Sequence, residues 1–120
     1  MALRAVRGAT QLQADDATEL EAAVVELMRE VLDRNGLTTD ALVSVLFTST
    51  HDLHSQFPAA AARTLGIGDV PLLCAQELVV DGALPRVVRL MAHVETDKNR
   101  AEIIHVYLRG AEVLRQDLAQ

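Results

Sequence analysis

The sequence predicts an α+β domain of seven elements in the order β-α-β-α-β-β-β, with five strands in one sheet, one long helix and one short helix. Three observations carry this reading. A stripe of apolar residues recurs at three- and four-residue steps between positions 16 and 35. Runs rich in β-branched residues, of strand length, lie before and after it. The chain has 120 residues, half of them apolar and 23% charged, which fits one globular domain over 1–120 and excludes a disordered or fibrous chain.

The elements follow in order. Leu3 to Thr10 alternates small apolar residues with arginine and runs into Gly8-Ala9, which reads as a short first strand breaking at the glycine, with Arg4 and Arg7 on opposite faces. From Asp16 to Asn35 the positions Leu20, Val24, Leu27 and Val31 form one helical stripe, with the charged residues mostly off it. Asp16 followed by Glu19 resembles a capping box, and Asn35-Gly36 supplies a left-handed stop. Leu42 to Ser49 is an apolar run suited to a buried strand, and Thr48 to Asp52 leads into a loop. Pro58, the alanines after it and Arg63 make a short helix stopped at Gly66. Val70 to Val80 and Arg86 to Val94 read as two strands joined as a hairpin around Asp81-Gly82. Ile104, Val106 and Leu108 alternate with His105, Tyr107 and Arg109 in a last strand, and Gly110 to Gln120 is expected to be an irregular, mobile tail. One long helix cannot cover both faces of a five-stranded sheet, so a second apolar face is expected to meet another subunit.

The balance of charge narrows the function. Eleven basic residues against seventeen acidic ones leave a formal charge of -6, which argues against a nucleic-acid partner. No apolar run reaches the roughly 20 residues of a membrane span. A lone cysteine and the lack of a signal-peptide core point to the cytoplasm. Ten of the eleven basic residues are arginine, either through genomic codon bias or through a need for bidentate binding of carboxylates.

Nucleophilic catalysis would draw on Cys74, Ser49, His51, His54, His93 or His105, and none stands in a recognisable signature. Cys74 in its apolar run reads as a core thiol, and His51 with His54 lacks a third metal ligand, so no metal or cofactor is expected. Arg89 is more informative. It lies among Val87, Val88, Leu90 and Met91, where a guanidinium needs an anionic partner, and Glu77 in the run Leu72 to Val80 is its mirror case. Either the two pair with each other or at sheet edges, or they belong to a pocket for a dianion with one carboxylate among several arginines.

Six segments together carry a resemblance to a known family. They are Arg4 to Ala9, Asp52 to Ala59, Val70 to Glu77, Arg86 to Met91, His105 to Leu108 and Val113 to Leu118. In this order and at this length the chain resembles the monofunctional AroH-class chorismate mutases. The resemblance implies a homotrimer whose mixed sheets pack around an axis as a pseudo-barrel, with active sites between adjacent subunits. It implies conversion of chorismate to prephenate, at the branch toward phenylalanine and tyrosine, with no cofactor and no covalent intermediate. Arg89 would contact the ether oxygen and a carboxylate, Glu77 would accept from the ring hydroxyl, and Cys74 would lie beside that group. Arg7 and Tyr107 would hold the enolpyruvyl carboxylate. Arg63, Leu114 and Arg115 would close the mouth, and Phe57, Ala59 and Leu73 would line the wall. Ala60 stands where the family often has a basic residue, and Leu73 lies near a family Thr. Cys74 and Glu77 are three apart, so a bulge or a strand end is needed if both touch substrate. The rival readings are a noncatalytic trimeric module binding a small dicarboxylate and a trimeric imine or enamine hydrolase with Glu77 as base.

Overall fold

The computed structural model describes residues 1–114. Strand β1 (Ala2–Gln11) leads to helix α1 (Ala17–Arg34), strand β2 (Leu42–Ser49), helix α2 (Pro58–Arg63) and strands β3 (Leu72–Gln76), β4 (Val87–Thr96) and β5 (Val106–Leu108). The predicted order β-α-β-α-β-β-β is the order found. The strands form one mixed sheet in the order β3-β2-β4-β1-β5. β1 and β2 pair antiparallel with β4, whereas β3 pairs parallel with β2 and β5 parallel with β1.

The stripe of α1 does what its period predicts. Leu20, Val24, Leu27 and Val31 are buried, and they meet Val6, Phe47, Leu90 and Val106 from one face of the sheet in a single core. Each fully buried aliphatic side chain contributes roughly 1.5–3 kcal/mol, so this interface is the main source of stability. At the helix start Asp16 accepts from the Glu19 N–H at 2.8 Å. The reciprocal half of the box is displaced: the Glu19 carboxylate accepts from the Gln13 and Ala14 N–H groups instead. At the other end Asn35 is the C-cap and Gly36 takes φ +64°, the left-handed stop.

Gly8 does not break β1, which runs on to Gln11. A Cβ at Gly8 would stand 3.1 Å from Leu27 Cδ1 and 3.3 Å from Val31 Cγ2, so the glycine lets α1 approach the sheet. The hairpin expected between the third and fourth strands does not form either. β3 sits at the sheet edge against β2, while both sides of β4 are taken by β2 and β1. The crossover through α2 delivers β3 parallel to β2, so the segment 77–86 has to pass β2 to reach the centre of the sheet. The Asp81-Gly82 turn exists inside that segment, and Leu78, Val79 and Val80 are exposed on it rather than in a strand. The expected tail opens with a single 3-10 turn, Ala111–Val113, whose Ala111 is fully buried against Ala9, Val87 and Tyr107. Residues 115–120, with Arg115, lie outside the described part.

Among the described residues, helices cover only one face of the sheet. The other face carries Leu3, Leu46, Leu73 and Met91, all exposed. Among the described residues no helix is long and apolar enough to cross a membrane.

Candidate active site

The alternation of the strands sorts the arginines. On β1, Arg7 and Ala9 point to the uncovered face while Val6 and Gly8 point to α1. Register then builds two rows across that face. Tyr107, Ala9, Arg89 and Thr48 are neighbours on successive strands, and Arg7, Met91, Leu46 and Leu73 form the next row. Ala9 is the small member between Tyr107 and Arg89, so a hollow opens between these two large polar side chains. The hollow is a concavity of about 330 Å³ lined by Arg7, Arg89, Tyr107 and Thr48 at its polar positions and by Ala9, Leu46 and Met91 at its apolar ones.

Glu77 reaches the same place from the first position after β3. Its N–H donates to the Ser49 carbonyl at 2.9 Å. Its carboxylate accepts from the Thr48 hydroxyl and faces Arg89 Nε at 3.5 Å. Arg89 and Glu77 therefore do pair, which was one of the sequence alternatives. The pair is not buried in isolation, however, because the Arg89 side chain is 46% exposed and borders the concavity. A single Nε contact leaves the outer nitrogens of the guanidinium available to a ligand, and among the described residues no other carboxylate lies within 4.0 Å of it.

Arg7 is fixed through its backbone. Its N–H donates to Nδ1 of His105 at 2.9 Å, just before the short β1–β5 ladder begins at Gly8. Burial, and then the positive charge of Arg7, hold the His105 imidazole below its ordinary pKa of 6.5.

A second concavity, of about 420 Å³, lies at the end of β2 and β3 and is lined by the loop 49–58 and by Cys74. Cys74 pairs with Phe47 and packs partly against the helix-side core, so its thiol points away from the face that carries Arg89. Glu77, three positions on, falls by the same alternation on the opposite face, beside Arg89, so the bulge or strand end that would bring both residues to one ligand is not found and Cys74 stays outside the arginine hollow. Phe57 lines the second concavity and is 71% exposed. Two carboxylates hold the loop. Asp15 accepts from the His54 and Ser55 N–H groups at 3.0 Å each. Asp52 accepts from the Thr50 hydroxyl at 2.5 Å and from the Arg86 N–H. A hydrogen bond from the Ser55 side chain chiefly lowers the pKa of Asp15. For Asp52 burial acts upward, but the bonds from Thr50 and Arg86 outweigh it and its pKa is also lowered.

The remaining expected residues are dispersed. Ala59 is buried in the core beside α1 and lines neither concavity, because α2 turns its alanines inward. Arg63 is exposed at the end of α2, outside both. Leu73 is 62% exposed next to Leu46, and Leu114 packs on the cluster that holds Tyr107 and Ala9. Sequence reasoning gave no role at the site to Thr48, Asn35, Asp15 or Asp52; Asn35 was read only as part of the helix stop, and Thr48 and Asp52 as the bounds of a loop. Among the described residues, no group of three or more His, Cys, Asp or Glu side chains is placed to hold a metal ion.

The arrangement is thus a cation-rich hollow with one anchored carboxylate and, among the described residues, no cysteine, serine or histidine in its lining, which suits binding and polarising a small dianion rather than attacking it. Comparison with known proteins agrees. The model of the family described as chorismate mutase type I matches residues 3–118. The chain is 44% identical over 117 residues to chorismate mutase AroH of Thermus thermophilus, covering 97% of this chain and 96% of that one. It is 38% identical over 120 residues to chorismate mutase AroH of Bacillus subtilis (strain 168), covering 99% and 94%. Among solved structures, a chorismate mutase from Clostridium thermocellum superposes with a TM-score of 0.90 at 44% identity, over 92% of this chain and 98% of that one. With a fold, a length and a sequence shared almost end to end, the chain belongs to the type I chorismate mutase family.

Proposed function

We propose that the chain performs its family's reaction, the rearrangement of chorismate to prephenate, by clamping the substrate in a folded conformer and by aiming fixed positive charge at the breaking ether bond. The observation that carries this reading is the hollow between Arg7, Arg89 and Tyr107, with Glu77 tied beside it through Thr48. In this isomerisation one C–O bond breaks as one C–C bond forms, and no proton is transferred. The protein therefore has two tasks, to hold a flexible dianion in a chair-like array and to stabilise charge where it accumulates.

Arg89 takes the ether oxygen and one carboxylate with the outer nitrogens of its fork. Glu77 accepts from the ring hydroxyl, which its Thr48 and Arg89 contacts keep it oriented to do. Arg7 and Tyr107 hold the enolpyruvyl carboxylate from the far side of Ala9. The apolar floor of Leu46 and Met91 excludes water and strengthens each of these charge interactions. The net charge of -6 opposes approach of a dianion, but screening confines that field to about 8 Å at physiological salt, inside which the arginines dominate.

The active form is a homotrimer with one site at each subunit boundary. Leu3, Leu46, Leu73 and Met91 stand exposed on a sheet face that no helix covers among the described residues, which supports its burial against other copies. Phe57 and Arg63 lie away from the chain's own arginine hollow, which supports a role for them in closing the hollow of a neighbouring copy, and Leu114 packs on the cluster that holds Tyr107. The cytoplasm is the compartment that fits a lone, partly buried thiol.

Loss of chorismate absorbance on adding purified protein tests the reaction, and mixing two inactive variants tests the boundary. Arg89→Ala and Arg63→Ala homotrimers are each inactive in this reading. Random subunit exchange of an equal mixture restores about a quarter of the parental sites, by the combinatorics of a closed three-fold ring. A folded parent that leaves chorismate untouched rejects the reaction, and a mixture as inactive as its components rejects the shared site.

A further inference from the structure

We propose that His105 is a positioning residue that holds Arg7 in the hollow only as a neutral imidazole with its proton on Nε2, so that acid loosens substrate binding through one identifiable group. The proposal rests on the reading of Arg7 as a carboxylate-binding residue.

Two features of the fold lead to it. β5 pairs with β1 only over Gly8 to Thr10, so the Arg7 amide falls just outside the ladder and has no strand carbonyl on that side. The His105 ring supplies the acceptor, at 2.9 Å. The ring is itself aimed by its neighbour. Ile104 donates its N–H to Asn35 Oδ1 at 2.8 Å, and its carbonyl accepts from Asn35 Nδ2 at 2.9 Å. Asn35 is fully buried at the end of α1 and also donates to the Val31 carbonyl. A line of bonds therefore runs from the end of α1 through Ile104 and His105 to the backbone of Arg7.

The protonation state follows from donor and acceptor roles. A backbone N–H can only donate, so Nδ1 must present a lone pair and the ring proton must sit on Nε2. An imidazolium would set donor against donor. The charged groups around the ring agree in sign. Arg4 and Arg7 of β1 and Arg100 of the turn Arg100–Glu102 share its concavity, Met91 of β4 and Ile103 bring no charge, and no carboxylate lines it. Protonation of His105 would thus break the Arg7 bond and add a cation beside a guanidinium that has to meet a carboxylate.

Three proteins decide the matter: the parent, His105→Asn and His105→Ala, each checked for thermal melting and for oligomeric state. Asn places Oδ1 close to where Nδ1 lies and does not titrate, whereas Ala removes the acceptor. At pH 7.5 His105→Ala should raise KM for chorismate by roughly tenfold with a smaller change in kcat, since displacing a binding group by less than about 1 Å has effects of this size. His105→Asn should stay near the parent. As pH falls below 6.5 the KM of the parent should climb while that of His105→Asn stays level. Nitrogen-15 NMR of the imidazole at pH 7 should show Nδ1 unprotonated. The proposal is overturned if His105→Asn climbs in acid like the parent, if a folded His105→Ala keeps the parental KM, or if Nδ1 carries the proton. Should His105→Ala not fold, the parent against His105→Asn profile and the NMR signal still decide. A parent that fails to turn over chorismate rejects the assignment of Arg7 instead, and leaves the tautomer reading intact.

Discussion

Truncating Arg89 to alanine should abolish most of the rate while leaving the fold in place, and the structure gives a size to both effects. The side chain is 46% exposed, and its carboxylate contact is a single Nε at 3.5 Å from Glu77. An exposed pair of this kind contributes about 0–1 kcal/mol to stability, so melting should hardly move. The barrier is another matter. The guanidinium borders a small hollow with an apolar floor, where it would face the oxygen that gains charge as the ether bond opens. Removing one such donor raises a barrier by about 2.7–4 kcal/mol. At 1.36 kcal/mol per factor of ten, this is a loss of roughly 10²–10³ in kcat. Arg89→Lys should recover little, because a point-charge ammonium cannot span the ether oxygen and a carboxylate as a planar fork does. The assay follows chorismate absorbance for the parent and both variants beside their thermal melts. An Arg89→Ala protein within about threefold of the parent would remove Arg89 from the chemistry, given the size expected for a lost oxyanion donor. A loss of rate matched by a loss of folded protein would make Arg89 structural.

Two further outcomes concern the scaffold. Gly8→Ala should destabilise by about 1–3 kcal/mol, because the new methyl is held between α1 and the sheet with no flexible neighbour free to leave, and urea unfolding measures it. An unchanged midpoint would mean that α1 can shift without loss. In acid, Asp15 and Asp52 both have native pKa values below 3.8, so the unfolded chain takes up protons first. Their contribution is complete above pH 3.8 and fades as pH falls through the lower native values. Asp52→Asn should therefore flatten the fall in stability between about pH 5 and 2, and a curve that coincides with the parent's would show that Asp52 does not latch the loop.

Much of this fold is legible residue by residue, for reasons of range. The α1 stripe, the Asp16 cap and the Gly36 stop are local patterns, and each stands where its period or cap chemistry places it. Pairing is not local. Two apolar runs flanking Asp81-Gly82 carry the signature of a hairpin, yet β4 gains more by lying between β1 and β2 in the middle of the sheet, and nothing in 70–94 alone records that competition. Gly8 shows the same limit, since a glycine that admits a helix and one that ends a strand look alike until Leu27 and Val31 are known to lie above it. At the site, the oddity of Arg89 and Glu77 among apolar neighbours was visible, and the fold brings the two together. The hollow itself was not visible, because it depends on Ala9 facing both Arg89 and Tyr107 across two ladders. Ala59 had an expected role through resemblance alone, and the inward turn of α2 accounts for its burial. Phe57 and Arg63 had expected roles through resemblance alone, and both lie outside the arginine hollow of their own chain.

Rearrangement driven by fixed charge, with no proton in flight, is the feature that separates this site from a general acid-base enzyme. Turnover of chorismate in D₂O, followed by proton NMR, measures that feature directly. Prephenate should be the sole product, without deuterium on carbon, and it should form at the rate seen in H₂O. Deuterium incorporated in step with product formation, rather than by later enolisation of the methylene beside the keto group, or a rate that falls severalfold in D₂O, would mean that a proton moves in the transition state and that the arginine hollow is not what lowers the barrier.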